Sequence, residues 1–147
     1  MIFGIPRAPL LLGIAGVIPF AWGALTLLFP SLGIWGIENF GSRFVGPYVQ
    51  LFYGAIILSF MSGVLWGFAT KGSGASGYVL SVIPALWAFF MTGGGASAAS
   101  LNLIVGFLAL LLLDWHFWNL GAAPEWWLKL RVLLTSIVII CLLPGAI

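Results

Sequence analysis

Residues 96–118 read ASAASLNLIVGFLALLLLDWHFW, an apolar run that carries a single charged side chain, Asp114, close to its end. A bilayer hydrocarbon core about 30 Å thick is crossed by about 20 residues of α-helix. Within lipid, an isolated segment satisfies its own backbone N–H and C=O groups only when it is helical. The run therefore predicts a transmembrane α-helix.

Outward from this run, the same criterion divides the chain into five predicted spans within a single domain. They are residues 9–29, 47–70, 78–92, 96–118 and 126–143. Links rich in glycine or containing proline separate them, at residues 30–46, 71–77, 93–95 and 119–125. We expect an all-α integral membrane bundle in which the last two pairs of neighbours form hairpins. The fifth span is the weakest, because its fully apolar part begins only after Arg131.

The composition excludes a soluble protein and several kinds of site. Hydrophobic residues make up 63% of the chain and charged residues 5%, whereas soluble domains carry roughly a quarter charged residues. The five basic residues are scattered, so no nucleic-acid partner is expected. The lone cysteine, Cys141, excludes an internal disulfide and any site built from several cysteines. We predict no metal, no cofactor and no catalytic residues, and hence no enzyme.

The basic residues also predict the orientation, because cytoplasmic loops of membrane proteins retain Lys and Arg. With the N-terminus in the cytoplasm, four of them fall inside and only Arg43 falls outside; the four are Arg7, Lys71, Lys129 and Arg131. We therefore expect the N-terminus inside and the C-terminus outside. The first apolar run continues past Pro19 to Phe29, which favours a retained first helix over a cleaved signal peptide.

Small residues recur at every fourth position of the second span, at Ala55, Ser59, Gly63 and Gly67. This spacing places them along one face of a helix. Helices in lipid associate mainly by close van der Waals packing over small residues. We expect this stripe to be a packing seam inside the bundle, with contact to a separate subunit as the alternative.

Asp114 is the sharpest candidate for chemistry, since a carboxylate at membrane depth is costly and is usually paired or functional. Asp114 and Arg131 lie almost symmetrically about the turn between the last two spans. An antiparallel hairpin would therefore bring them to similar depth, and we expect an intramembrane ion pair that sets the register of two helices. A proton relay through Asp114 and solvation at the interface are the alternatives.

Aromatic and polar residues cluster around the same turn and predict anchors at the membrane interface. The expected anchors are Trp115, His116, Trp118, Trp126, Trp127 and Lys129. The only histidine, His116, has no His, Cys or acid three or four residues later, so an interfacial role is favoured over metal or haem binding. Gln50 and Asn102 are the remaining polar residues well within spans, and a hydrogen bond between them is a further expectation.

Several stretches together resemble a known family. They are residues 53–60 (YGAIILSF), Gly63, Trp66-Gly67, Asp114-Trp115, Pro124, Trp127, Leu130-Arg131 and Leu134-Thr135. The chain is similar over nearly its whole length to a domain-of-unknown-function family of small proteobacterial inner-membrane proteins, which has a mitochondrial relative, transmembrane protein 69. The resemblance implies a multi-pass protein of a bacterial inner membrane and implies no established activity.

Abundant packing surface and scarce chemistry favour a non-enzymatic accessory or assembly subunit. Its expected partners are the lipid bilayer and a larger inner-membrane complex of the respiratory or photosynthetic type. One alternative is a small transporter or channel that uses Asp114 as a protonatable site. Another is a lipid- or quinone-binding protein with a pocket formed by Trp22, Tyr53, Trp66 and Trp87.

Overall fold

A computed structural model describes residues 1–147 and contains six α-helices and one short 3₁₀ turn, Ser42–Phe44. The helices are α1 (Arg7–Leu28), α2 (Pro30–Phe40), α3 (Tyr48–Ala69), α4 (Gly74–Met91), α5 (Ala96–Asn119) and α6 (Trp127–Ala146). All except α2 are long and apolar enough to cross a membrane. The predicted all-helical fold with five membrane-spanning helices is therefore confirmed.

The glycine-rich link after the first span is not a simple loop, because most of it forms the helix α2. Pro30 stands at the first helical turn, where the N–H that proline lacks would have no partner. Gly33 allows α2 to lie close to the end of α1, since a Cβ there would be 2.7 Å from the Thr26 carbonyl oxygen. The helix thus folds back at one end of the bundle, with Ile34, Trp35 and Ile37 exposed.

Two span boundaries also differ from those expected. The helix α4 begins at Gly74 rather than residue 78, so residues 74–77 of the predicted flexible turn are helical. The helix α6 continues to Ala146 and has 20 residues, which makes it longer than the 18 residues of α4. The fifth span is consequently not the weakest of the five.

The helices α3 and α5 form the centre of the bundle, because α5 packs against α3, α4 and α6, and α3 packs most extensively against α4. The helix α1 lies on the other side of α6 and also contacts α3. Apolar side chains fill the space between these helices, and three from α5, Leu103, Phe107 and Leu110, are almost completely buried. The hairpins expected for α4 with α5 and for α5 with α6 are both present.

The small-residue stripe of α3 does not form a seam inside the bundle. Ser59, Gly63 and Gly67 are exposed, and only Ala55 is partly covered. A Cβ added at Gly63 or Gly67 would meet nothing within 4 Å. The residues that pack inward from α3 lie on another face, which includes Gly54, Leu58 and Leu65. Packing of the whole stripe inside the bundle was therefore the wrong interpretation.

Candidate functional site

One end of the bundle is closed by close contact between α1 and α3. Gly23 of α1 lies against the side chain of Gln50, and a Cβ at Gly23 would overlap Gln50 Cγ. Gln50 Nε2 donates hydrogen bonds of 2.8 Å to the carbonyl oxygens of Phe20 and Cys141. A single buried amide thereby joins α1, α3 and α6.

The expected hydrogen bond between Gln50 and Asn102 is absent. Asn102 Nδ2 instead donates to the Met91 carbonyl oxygen at 2.9 Å, and the Asn102 carbonyl oxygen accepts from Trp87 Nε1 at 2.7 Å. Both polar side chains donate to backbone carbonyl oxygens of neighbouring helices. Asn102 therefore ties α5 to α4 rather than to α3.

Toward the other end, α1 and α3 form the two walls of a groove of about 650 Å³. The floor is made by Phe107 of α5 and by one face of α6, and nearly all lining side chains are apolar. Leu12, Ile56 and Phe60 line the groove and are also exposed on the outer surface of the bundle. The groove therefore opens sideways, toward the surface that faces lipid.

An ion pair lies beside this groove, at the end away from Gly23. Arg131 Nε donates to Asp114 Oδ2 at 2.8 Å, so the expected contact between the last two helices is present. Trp127 Nε1 donates to the other carboxylate oxygen, Oδ1, at 3.0 Å. Asp114 is fully buried. A carboxylate with both oxygens hydrogen-bonded to fixed donors favours a structural role over a proton relay.

Arg131 uses only part of its hydrogen-bonding capacity. A guanidinium carries five N–H donors, and here only the one on Nε has an acceptor in the protein. Arg131 lines the groove with 7% of its surface exposed. One turn later on the same face of α6, Thr135 lines the groove too, and its buried Oγ1 has no hydrogen-bond partner. The apolar groove thus contains a small polar region with unused donors.

The predicted interfacial anchors gather at this end of the bundle but differ in environment. Trp115 and Lys129 are exposed, while His116 is half-buried against the ring of Phe117. Trp118 Nε1 donates to the Glu125 carbonyl oxygen at 3.2 Å across the turn. Trp126 and Trp127 line the groove. Trp127 is therefore also a partner of the buried carboxylate.

The proposed quartet of aromatic residues does not form a pocket. Only Tyr53 lines the groove. Trp22 lies at the opposite end, where its Nε1 donates to the Phe44 carbonyl oxygen, and Trp66 packs edge-on against Tyr78 at 4.7 Å. The four side chains lie on different helices or helix faces. Their common aromatic character does not indicate where each one lies in the fold.

Sequence reasoning missed Thr135 and the apolar groove residues as members of a site. A signal for Thr135 exists in its position four residues after Arg131, since residues with this spacing share a helix face. The groove walls carry no comparable signal. Leu12, Ile56 and Phe60 are ordinary apolar residues of membrane spans, and only the separation of α1 from α3 gives them a common role.

Comparisons with known proteins place the chain in a family. The family model described as "Protein of unknown function (DUF3429)" matches residues 5–147. Transmembrane protein 69 of Xenopus tropicalis is 31% identical over 147 residues, covering 97% of this chain and 54% of the relative. The chain spans about half the length of that curated relative. No solved structure matches the chain. The protein belongs to DUF3429, a family of unknown function related to transmembrane protein 69.

Proposed function

We propose that this integral membrane protein binds the hydrophobic chain of a lipid-class molecule in the groove between α1 and α3. The observation that carries the proposal is the groove itself, an apolar space of about 650 Å³ with unused polar donors at one end. Ligand sites are typically concave, mostly apolar and fitted with a few polar groups that orient the ligand. This combination matches an amphiphile.

The length of the groove also suits an extended chain. On α1 its lining residues run from Pro9 to Phe20, a distance of about 16 Å at 1.5 Å per residue. The ring of Phe20 packs against those of Tyr53 and Phe107 at centroid distances of 5.4 and 5.7 Å. This aromatic cluster ends the groove, so a chain whose polar head lies near Trp126 would terminate there.

Filling the groove tests the proposal. Gly16 lines the groove, and the nearest atom to a Cβ there is Tyr53 Oη at 3.7 Å. A Gly16→Phe variant would place a ring in the space that the chain occupies. The matched control is Gly63→Phe, which adds the same ring on the open face of α3.

The measurement is native mass spectrometry of protein released from membranes in mild detergent. We expect the native protein and Gly63→Phe to retain a hydrophobic ligand, and Gly16→Phe to lose it. Equal retention by both variants, or no retained ligand in the native protein, would contradict the proposal.

A second candidate function is the accessory or assembly subunit expected from the sequence. The observation that favours it is the open face of α3, where Gly63 and Gly67 leave space for another helix to approach closely. The host would be a larger complex of a bacterial inner membrane, of the respiratory or photosynthetic type. In this role the small-residue stripe of α3 would contact a separate subunit, which is the alternative to packing inside the bundle.

Crosslinking in native membranes tests the accessory role. A Gly63→Leu variant would block close approach to α3, whereas Ser136→Leu adds bulk at an exposed position of α6. We expect a defined crosslinked partner for the native protein and for Ser136→Leu, and its loss in Gly63→Leu. Migration of the native protein as a lone monomer under these conditions would contradict this role.

The proposed topology places the N-terminus in the cytoplasm and the C-terminus outside. The fold supports it by gathering Arg7, Lys71 and Lys129 at one end, where Lys71 Nζ donates to the Ala122 carbonyl oxygen at 2.9 Å. Arg43 lies at the opposite end, beyond α2. Reporter fusions at residue 147 that are active only outside the cytoplasm would support this orientation, and cytoplasmic activity would reverse it.

A further inference from the structure

We infer that the ligand of this groove presents a neutral carbonyl oxygen to Arg131, as a quinone with a prenyl or alkyl tail does, rather than an anionic headgroup. This inference rests on the proposed function, since it assigns the chemical class of the molecule that the groove binds. It concerns binding only and involves no electron transfer by the protein.

The charge balance at the end of the groove carries the argument. Arg131 and Asp114 form a contact of 2.8 Å and together have no net charge. A bound phosphate or carboxylate would therefore leave a negative charge without a counter-charge where charged groups are costly. A neutral carbonyl oxygen accepts hydrogen bonds from the free guanidinium N–H groups and adds no charge.

The residues that carry the free donors, Arg131 and Thr135, both line the groove. The terminal Nη groups of Arg131 have no acceptor in the protein, and arginine donors lie in a planar fork. Thr135 adds a hydroxyl one turn along the same helix face, buried and without a partner. An unsatisfied buried donor is costly, so an oxygen from a ligand would stabilise the Thr135 hydroxyl, and it could accept from the free Nη groups of Arg131 as well.

The depth of Arg131 also favours a compact head over a phospholipid headgroup. It stands four residues inside α6, which begins at Trp127, and so about 6 Å along the helix axis from that end. Trp126 and Trp127 line the groove at the interfacial side of this position. The rings of Phe68 and Trp127 pack against each other at right angles at 5.2 Å, and both line the groove together with Arg131.

The alternative ligand is an anionic phospholipid whose headgroup binds at the membrane surface. Arg7 and Lys129 are exposed at the same end of the bundle and could bind a phosphate at headgroup level. In that arrangement the acyl chain would occupy the groove, and Arg131 would contribute nothing beyond its ion pair. The two modes of binding depend on different residues and can be separated.

The test uses the full chain in nanodiscs of neutral phosphatidylcholine, titrated with a benzoquinone that carries a decyl tail. Quinones quench tryptophan fluorescence, and Trp126 and Trp127 lie at the proposed head position. We expect saturable quenching in the native protein. Two competitors are compared with the quinone itself: decylbenzene has the same tail and no carbonyl, and palmitate is anionic. Each should displace the bound quinone at least about tenfold less effectively than added quinone does, which is the loss expected for one hydrogen bond to a charged donor.

Three single variants test which residues bind the quinone. Arg131→Lys keeps the positive charge beside Asp114 but removes the planar fork, and Thr135→Val removes only the hydroxyl. Each should weaken quinone binding about tenfold, the effect of one lost hydrogen bond. Lys129→Gln is the control and should leave it unchanged. If Arg131→Lys fails to fold, Thr135→Val and the ligand comparison still decide the question.

The outcomes separate this inference from the proposed function. Equal displacement by decylbenzene would overturn the carbonyl assignment while leaving a chain-binding groove intact. Tighter binding of palmitate or phosphatidylglycerol, lost in Lys129→Gln and kept in Arg131→Lys, would assign the site to an anionic lipid instead. If no compound gives saturable binding, the proposed function fails together with the inference.

Discussion

The two ends of the contact between α1 and α3 bury polar side chains in different surroundings. At the closed end, Gln50 is buried and its amide N–H groups donate to carbonyl oxygens of two other helices. At the open end, Arg131 is buried beside a counter-charge, and its terminal donors have no acceptor. Each end leaves a buried polar atom without a protein partner, Gln50 Oε1 at the closed end and Thr135 Oγ1 at the open end, but only the open end places unused donors in a groove. The two ends therefore differ in whether the unused polar atoms face a groove, and not in whether every polar atom is satisfied.

Breaking the ion pair should produce the largest loss of stability. Asp114→Asn keeps the shape of the side chain but leaves Arg131 buried without a counter-charge, and we expect a loss of about 3–5 kcal/mol in the free energy of unfolding. Unfolding of detergent-solubilised protein, followed by circular dichroism against denaturant, measures it.

The control for the ion pair is the double variant Asp114→Asn with Arg131→Gln, in which neither charge is present. It should recover most of the lost stability. A single Asp114→Asn variant as stable as the native protein would show that Arg131 is satisfied by groups other than Asp114.

Forcing the closed end apart should have the next largest effect. In Gly23→Ala, the new methyl group would overlap Gln50 Cγ and lie 3.0 Å from Val49 Cγ1, and overpacking of this kind costs about 1–3 kcal/mol. The same measurement on Gly63→Ala is the control, because its methyl group would meet nothing within 4 Å. Equal stability of the two variants would mean that α1 and α3 are not in close contact at Gly23.

Removing the amide at the closed end should cost less. Gln50→Leu removes two hydrogen bonds between helices, each typically worth about 0.6 kcal/mol in membrane proteins, for a total of about 1 kcal/mol. Ser59→Ala provides the comparison, since Ser59 Oγ donates only to Ala55 in its own helix. If Gln50→Leu were as stable as Ser59→Ala, the bridge between the three helices would contribute nothing.

At the open end, loss of the Thr135 hydroxyl should have the smallest effect on stability. In the absence of ligand, Thr135→Val removes a buried group without a partner, so the free energy of unfolding should stay the same or rise by up to about 1 kcal/mol. Denaturation of delipidated protein measures it. A loss of more than about 1 kcal/mol would show that the hydroxyl has a partner in the protein.

Much of this architecture follows from the sequence. Five apolar segments of sufficient length have few alternatives in a membrane, and the short turn between the last two spans was enough to predict the pairing of Asp114 with Arg131. The helix α2 was missed although Pro30 marks its start, because its glycines indicated a loop. The features that were predicted correctly depend on local interactions or on contacts between helices that are consecutive in the sequence.

Features that depend on helices distant in sequence were not predictable. The stripe through Gly63 and Gly67 indicates a face of α3, but periodicity does not say which neighbour covers that face. Gln50 and Asn102 were expected to meet, yet carbonyl oxygens elsewhere were closer to both. The groove exists because α1 and α3 touch at Gly23 and separate beyond Phe20, and no single residue pattern encodes that separation.

The sideways opening at Leu12, Ile56 and Phe60 has a consequence for how a ligand would reach the protein. A molecule dissolved in the bilayer would enter by two-dimensional diffusion, without crossing water and without any loop having to move. Its relevant concentration is then its mole fraction among the lipids, which for a hydrophobic compound far exceeds its concentration in solution. Occupancy would consequently follow the composition of the membrane.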